Sequence, residues 1–144
     1  MRSFAICCTL AVLAACAKPA PPAGKESGEV SLASVAGKWT MTTKLATSDS
    51  VVLTFEMVAA ADPSGWTFNF ANRPPVPLRI LATAGDSIVA EAGPYESMLR
   101  KGVQVSTHSV MHFQGGKLVG TTMAHYASTG ADSVLSLRTE GTRE

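Results

Sequence analysis

Between residues 37 and 140 the chain consists of short runs in which apolar and polar residues alternate. A period of two puts successive side chains on opposite faces of an extended strand, so each run reads as half-buried β-structure. Val, Thr, Leu and Phe dominate the runs, the residue types that pack well on a pleated surface. The pattern predicts strands at 37–46, 50–60, 65–71, 76–83, 87–92, 96–100, 103–114, 117–127 and 132–140. Between them stand turn formers: Ser48-Asp49-Ser50, Asp62-Pro63-Ser64-Gly65, Pro74-Pro75, Gly85-Asp86, Gly93-Pro94, Gly115-Gly116 and Ser128-Thr129-Gly130. Links this short join antiparallel neighbours, and a meander of about eight or nine strands removes its exposed edges by closing on itself. The expected fold class is all-β, a small antiparallel up-and-down β-barrel, with a two-sheet β-sandwich as the alternative.

The hairpin at Gly115-Gly116 can be read in register, because a primed turn needs positive φ at its central residues. Gln114 then pairs with Lys117 and Phe113 with Leu118. One face collects the odd positions of 105–113 and the even positions of 118–126, bulky and apolar at one end and small or hydroxylic in the middle. That face is expected to be the inner wall. A three-residue loop at 84–86 would turn Ile88, Ala90 and Ala92 inward with Leu78, Ile80 and Ala82, leaving Glu91 outside. Residues 93–100 group Tyr95, Glu96 and Arg100 beside a turn and read as a rim loop.

His108, His112 and His125 all fall on the opposite, more polar face. His108 and His112 lie about 13 Å apart at a rise of roughly 3.3 Å per residue, too far to share one ion. Only His108 and His125 are diagonal neighbours, and no carboxylate or cysteine stands beside them in this local register. The three read as structural or solvent-exposed, and no metal site is expected.

Ahead of the strands the alternation stops. Arg2 is followed by an apolar run at 4–13 and then by Ala14, Ala15 and Cys16, the order of an export leader. The run is too short to span a bilayer. Leu13-Ala14-Ala15-Cys16 resembles the bacterial lipobox, which implies cleavage before Cys16, a diacylglycerol thioether on its thiol, acylation of the new amino group and stable membrane anchoring. With Ala17 in place of the aspartate that marks inner-membrane retention, the resemblance implies the outer membrane, with the domain facing the periplasm. Cys7 and Cys8 would leave with the leader, so the mature chain would hold neither a disulfide nor a thiolate zinc site. Pro19, Pro21, Pro22 and Gly24 follow among small and charged residues, a composition that stays extended as a tether. The expected organisation is a leader at 1–15, lipidated Cys16 with a Pro-rich tether at 16–30, and one β domain at 31–144.

Charge and missing motifs then narrow the partners. The chain has 12 Lys and Arg against 11 Asp and Glu, and Arg2 leaves with the leader, so the mature charge is balanced. No basic stripe is interleaved with aromatic residues, which argues against nucleic acid, and no polybasic patch addresses anionic lipid. A nucleophile elbow, a phosphate-cradling glycine loop, HExxH and a dinucleotide fingerprint are all missing, so neither an enzyme nor a cofactor is expected.

Gly37-Lys38-Trp39 sets the Gly-x-Trp spacing at the head of the first strand and resembles the opening of lipocalins and related calycin barrels. The resemblance covers the order of parts over most of the domain. It implies a tryptophan at the closed end of the barrel and a late basic residue, Arg138 or Arg143, packed over it. The domain is short and shows no clear helix after its last strand, so a shortened lipocalin-like barrel is implied. Two functions follow. In one, a small apolar molecule such as a lipid or fatty acid occupies a cavity lined by Trp39, Met41, Phe55, Met111, Phe113 and Tyr126. In the other, the barrel is filled by its own side chains and serves as an envelope interaction module for another protein or the cell wall. Whether Thr107, Ser109, Gly120, Thr122 and Ala124 face a void, or are covered by Leu53, Phe68 and Phe70, decides between them.

Overall fold

The computed structural model describes residues 29–144, so the expectations for the leader, for Cys16 and for the tether before residue 29 lie outside the described residues. A one-turn helix, α1 (Leu32–Val35), leads into β1 (Gly37–Leu45), β2 (Val51–Ala59), β3 (Thr67–Asn69) and β4 (Val76–Ala84). Then come β5 (Ser87–Glu96), β6 (Gln104–Gln114), β7 (Lys117–Tyr126), a short 3-10 turn at Ala131–Ser133, and β8 (Val134–Arg143). Each strand pairs antiparallel with the next, and β8 returns to β1 from Leu45↔Leu137 to Trp39↔Arg143, which closes an eight-stranded up-and-down barrel. Closure gives every strand two neighbours, although β3 covers only Glu56–Val58 of β2 and Val76–Pro77 of β4. The barrel, not the sandwich, is the fold.

Burial follows the alternation. In β6, Val105, Thr107, Ser109 and Met111 are buried while the residues between them are partly exposed. Apolar residues inside and polar residues outside is the reverse of a barrel whose outer wall meets lipid. The glycine hairpin has the expected register, with Phe113↔Leu118 and Gln114↔Lys117. Fully buried Ile88 and Leu118 each contribute roughly 1.5–3 kcal/mol of apolar burial.

Two local expectations are corrected. Gly93-Pro94 is not a turn between strands, and 96–100 is not a strand. β5 runs through the pair as a bulge, with Ala92 facing Thr107 and Tyr95 facing Val105, so two residues oppose one. Gly93 sits at φ 109 with its backbone pressed on β6, where a Cβ would lie 2.6 Å from the Val105 carbonyl oxygen. Only glycine fits there, so a residue that looks like punctuation is a strand position. The second correction is at 84–86, where Ala84 pairs with Ser87 around a two-residue turn and a bulge between Ile80 and Ala82 places Thr83, rather than Ala82, opposite Ile88. Ile88, Ala90, Ala92 and Leu78 are buried as expected.

The two ends of the barrel differ. α1, the 60–66 loop, and the turns at 85–86 and 115–116 gather at the end where β1 begins. The loops 46–50, 70–75, 97–103 and 127–133 gather at the other. The wall is thinnest at β3, which makes three pairs with β2 and two with β4.

Candidate functional site

The end under α1 is sealed. Trp39 is fully buried, and its Nε1 donates to the Val35 carbonyl at 2.8 Å. The Arg143 guanidinium lies 4.6 Å from the centre of the Trp39 ring and donates to the Ala36 and Ser34 carbonyls at 2.5 and 2.6 Å. Phe113 meets Trp39 edge-on at 6.1 Å. Arg138, the other late basic residue, points outward to Asp49 at 2.8 Å and to the Ser48 carbonyl. Met41 and Met111, 1% and 2% exposed, are buried in the same end.

The opposite end has two unlike walls. Phe55 stands 5.0 Å from both Phe68 and Phe70, and Phe70 stacks on Tyr95 at 5.6 Å and 29°. Facing these rings, Ser109, Thr122 and Thr139 form a chain of hydroxyl contacts across β6, β7 and β8, at 2.9 and 3.2 Å. Between the walls lie two cavities of about 40 Å³ each, which share Leu53, Tyr95, Thr107 and Leu137 in their linings. Thr107, Thr122 and Ala124 border this space, and Leu53, Phe68 and Phe70 cover much of it from the other side. Each cavity holds a few waters at most.

Thr107 is the anomaly at this end. Its residue is 7% exposed, yet its Oγ1 makes no bond of hydrogen-bonding geometry. Burial pushes the Tyr95 hydroxyl above its ordinary pKa, and the nearby Thr107 only partly offsets this. The approach of the two hydroxyls falls short of satisfying Thr107. Met98 and Leu99, carried by the 97–103 loop, line one of the two cavities. The loop is pinned by Ser97, whose Oγ accepts from the Leu99 and Arg100 amides at 3.0 Å. Arg100 stacks 4.0 Å from the Tyr126 ring centre. Outside the Phe70–Tyr95 stack lies an open depression of about 360 Å³, lined by the same two rings with Arg73, Pro74, Val76 and Glu96. The Gly102 amide and the Arg73 guanidinium hold the Glu96 carboxyl below the usual range.

Of the residues expected to line a ligand cavity, the structure brings Phe55 and Tyr126 to this space, while Trp39, Met41, Met111 and Phe113 sit in the sealed end. Leu53, Phe68, Phe70, Tyr95, Met98 and Thr107 line it as well. Leu53, Phe68 and Phe70 were expected on the opposite wall and Thr107 beside any void, but no pattern marks Met98, which reaches the cavity from a loop.

A concavity of about 560 Å³ lies on the outer wall beside Gly93, with Arg79, Glu91, His108 and His125 in its lining. Its charges satisfy one another: Arg79 meets Glu91 at 2.6 Å and His108 meets it at 3.3 Å, and both lower the Glu91 pKa, Arg79 more. We therefore place the site inside, where polar capacity is unspent. The hairpin itself brings no carboxylate to the histidines, as expected, but Glu91 and Asp86 reach His108 and His112 from β5 and the turn before it. Even so, no group of three metal-ligating side chains occurs among the described residues.

In comparisons with known proteins, no family model, no curated protein and no solved structure matches this chain.

Proposed function

We propose that this chain is a lipid-anchored envelope protein whose lipocalin-like barrel binds a small, largely apolar ligand at its open end, without catalysis. The observation that carries the reading is Thr107 Oγ1, a buried hydroxyl without a partner that faces residual space between an aromatic and a hydroxyl wall. An unsatisfied buried polar group is unfavourable by roughly 1–3 kcal/mol, and a ligand that pairs with it recovers that energy. The stacked rings of Phe70 and Tyr95 line both one inner cavity and the outer depression, which supports an entrance between the 70–76 segment and β5. Anchoring through Cys16, at the outer membrane and facing the periplasm, rests on the lipobox resemblance. The described chain enters the barrel at its sealed end, where the Val30 amide bonds the Gly85 carbonyl, at the end opposite the proposed mouth.

The second reading, a packed envelope interaction module with a protein partner, is favoured by volume. Cavities of about 40 Å³ fall well below the roughly 300–1,000 Å³ of a drug-sized pocket, so binding requires Met98 or the Phe70–Tyr95 stack to move. Native mass spectrometry of the chain from residue 17 onward, beside an organic extract of the same sample, separates the two. A stoichiometric small-molecule adduct supports the carrier. A clean apo mass with no uptake of offered apolar compounds overturns it in favour of the packed module.

A further inference from the structure

The linings of the inner cavities carry no charged side chain, and no Asp, Glu, Lys or Arg is buried among the described residues. What the walls offer is uneven. One side is Phe55, Phe68, Phe70 and Tyr95, whose centroids are spaced for ring contact at 5.0 to 6.2 Å. On the other side Thr43, Thr107 and Thr122 line the cavity; Thr122 is engaged with Ser109 and Thr139, and Thr107 Oγ1 is the buried lining oxygen without a hydrogen-bond partner.

Resting on the binding role above, we propose that the site takes a neutral, ring-bearing molecule with one hydroxyl or carbonyl group, its ring against Phe70 and Tyr95 and its polar group on Thr107 Oγ1. Three considerations select this class. A carboxylate drawn inside would lose its hydration with no cation to meet it, which disfavours a free fatty acid in the cavity. A flexible alkyl chain gains burial but none of the edge and stacking contacts that rings make with rings. A ring without a polar group leaves the Thr107 hydroxyl as unsatisfied as before. A threonine hydroxyl both donates and accepts, so a hydroxyl or a carbonyl serves equally.

The test is calorimetric titration of the chain from residue 17, which contains the whole closed barrel, with 2-naphthol, 2-naphthoate, naphthalene, decanol and decanoate. The expected result is one site for 2-naphthol, with 2-naphthoate and decanoate at least about tenfold weaker and naphthalene about fivefold weaker. Thr107→Val is expected to bring 2-naphthol to the naphthalene level, and Thr107→Ser to restore most of the difference. Because valine matches the shape of threonine and removes an unpaired hydroxyl, that variant should fold at least as stably, which a melting curve verifies. If 2-naphthoate or decanoate binds as tightly as 2-naphthol, or if Thr107→Val changes nothing, the ligand class is overturned and the carrier remains. If none of the five binds, the carrier falls with it.

Discussion

Removing the Arg143 side chain tests how the sealed end is held. Arg143→Ala deletes two charge-assisted hydrogen bonds, to the Ala36 and Ser34 carbonyls, and the cation over the Trp39 ring. Such bonds contribute roughly 1.5–3 kcal/mol each in favourable settings and an exposed cation–π contact about 0.5–1. Arg143 is itself an exposed residue, so solvent screens both and the freed carbonyls regain water; we expect a loss near 2 kcal/mol. The backbone pairing Trp39↔Arg143 survives, so the loss belongs to the side chain. Urea unfolding should show a midpoint lower by about 1–2 M with an unchanged slope. Arg143→Lys keeps the charge but loses the planar fork and the stacking surface, and should recover less than half of the loss. A Trp66→Phe background isolates the emission of Trp39, which should shift to the red in the alanine variant. A loss under about 0.5 kcal/mol, or a lysine variant equal to the wild type, would refute the latch as described.

Gly120→Ala should prevent folding or lower stability by more than about 3 kcal/mol, because its Cβ would run into the Val110 carbonyl and come within 2.8 Å of Met111 Cα, both backbone. Gly141→Ala should lose only about 1–3 kcal/mol, since its nearest obstacle is the movable Met41 Sδ at 2.7 Å; thermal melts of the two decide it. Glu56, Asp86, Glu91 and Glu96 are all held below their ordinary pKa by hydrogen bonds and neighbouring cations, with Asn69 the largest cause for Glu56 and Gln114 for Asp86. Carboxyls depressed in the fold lend stability that is present above their unfolded values of 4.5 and 3.8 and is lost as pH falls through the folded ones. Acid titration followed by circular dichroism should therefore show a loss below about pH 4.5, flattened by Asp86→Asn; an unchanged acid limb would refute the contribution of that carboxyl.

Much of the barrel was legible because its signal is local. The period of two and the Gly115-Gly116 turn set the Phe113↔Leu118 register without knowledge of any other strand. Parity also separates the two late arginines, for residue 143 shares a face with the inward Leu137, Thr139 and Gly141 while 138 does not. Local signals failed where distant backbone intervenes. Gly93-Pro94 resembles a turn, but the demand for glycine comes from the Val105 carbonyl on another strand. The carboxylates beside His108 and His112 were missed for the same reason, since they arrive from β5 and its turn and not from the hairpin that carries the histidines. The candidate site was the least legible part. Whether Thr107 finds a partner depends on how far Phe68, Phe70 and Tyr95 reach across the interior, and on a loop residue, Met98, that follows no period.

The ladder between β1 and β8 has a consequence in time. It joins the earliest strand to the latest, so its contacts are the most distant in sequence and the slowest to find one another. Until β8 arrives, both of its future neighbours present raw edges, and the nascent sheet is at its most adhesive. Trp39 leaves the ribosome before any other strand residue of the core, yet the arginine that shelters it comes at position 143. The sealed end of the finished barrel is therefore the part that waits longest for its cover.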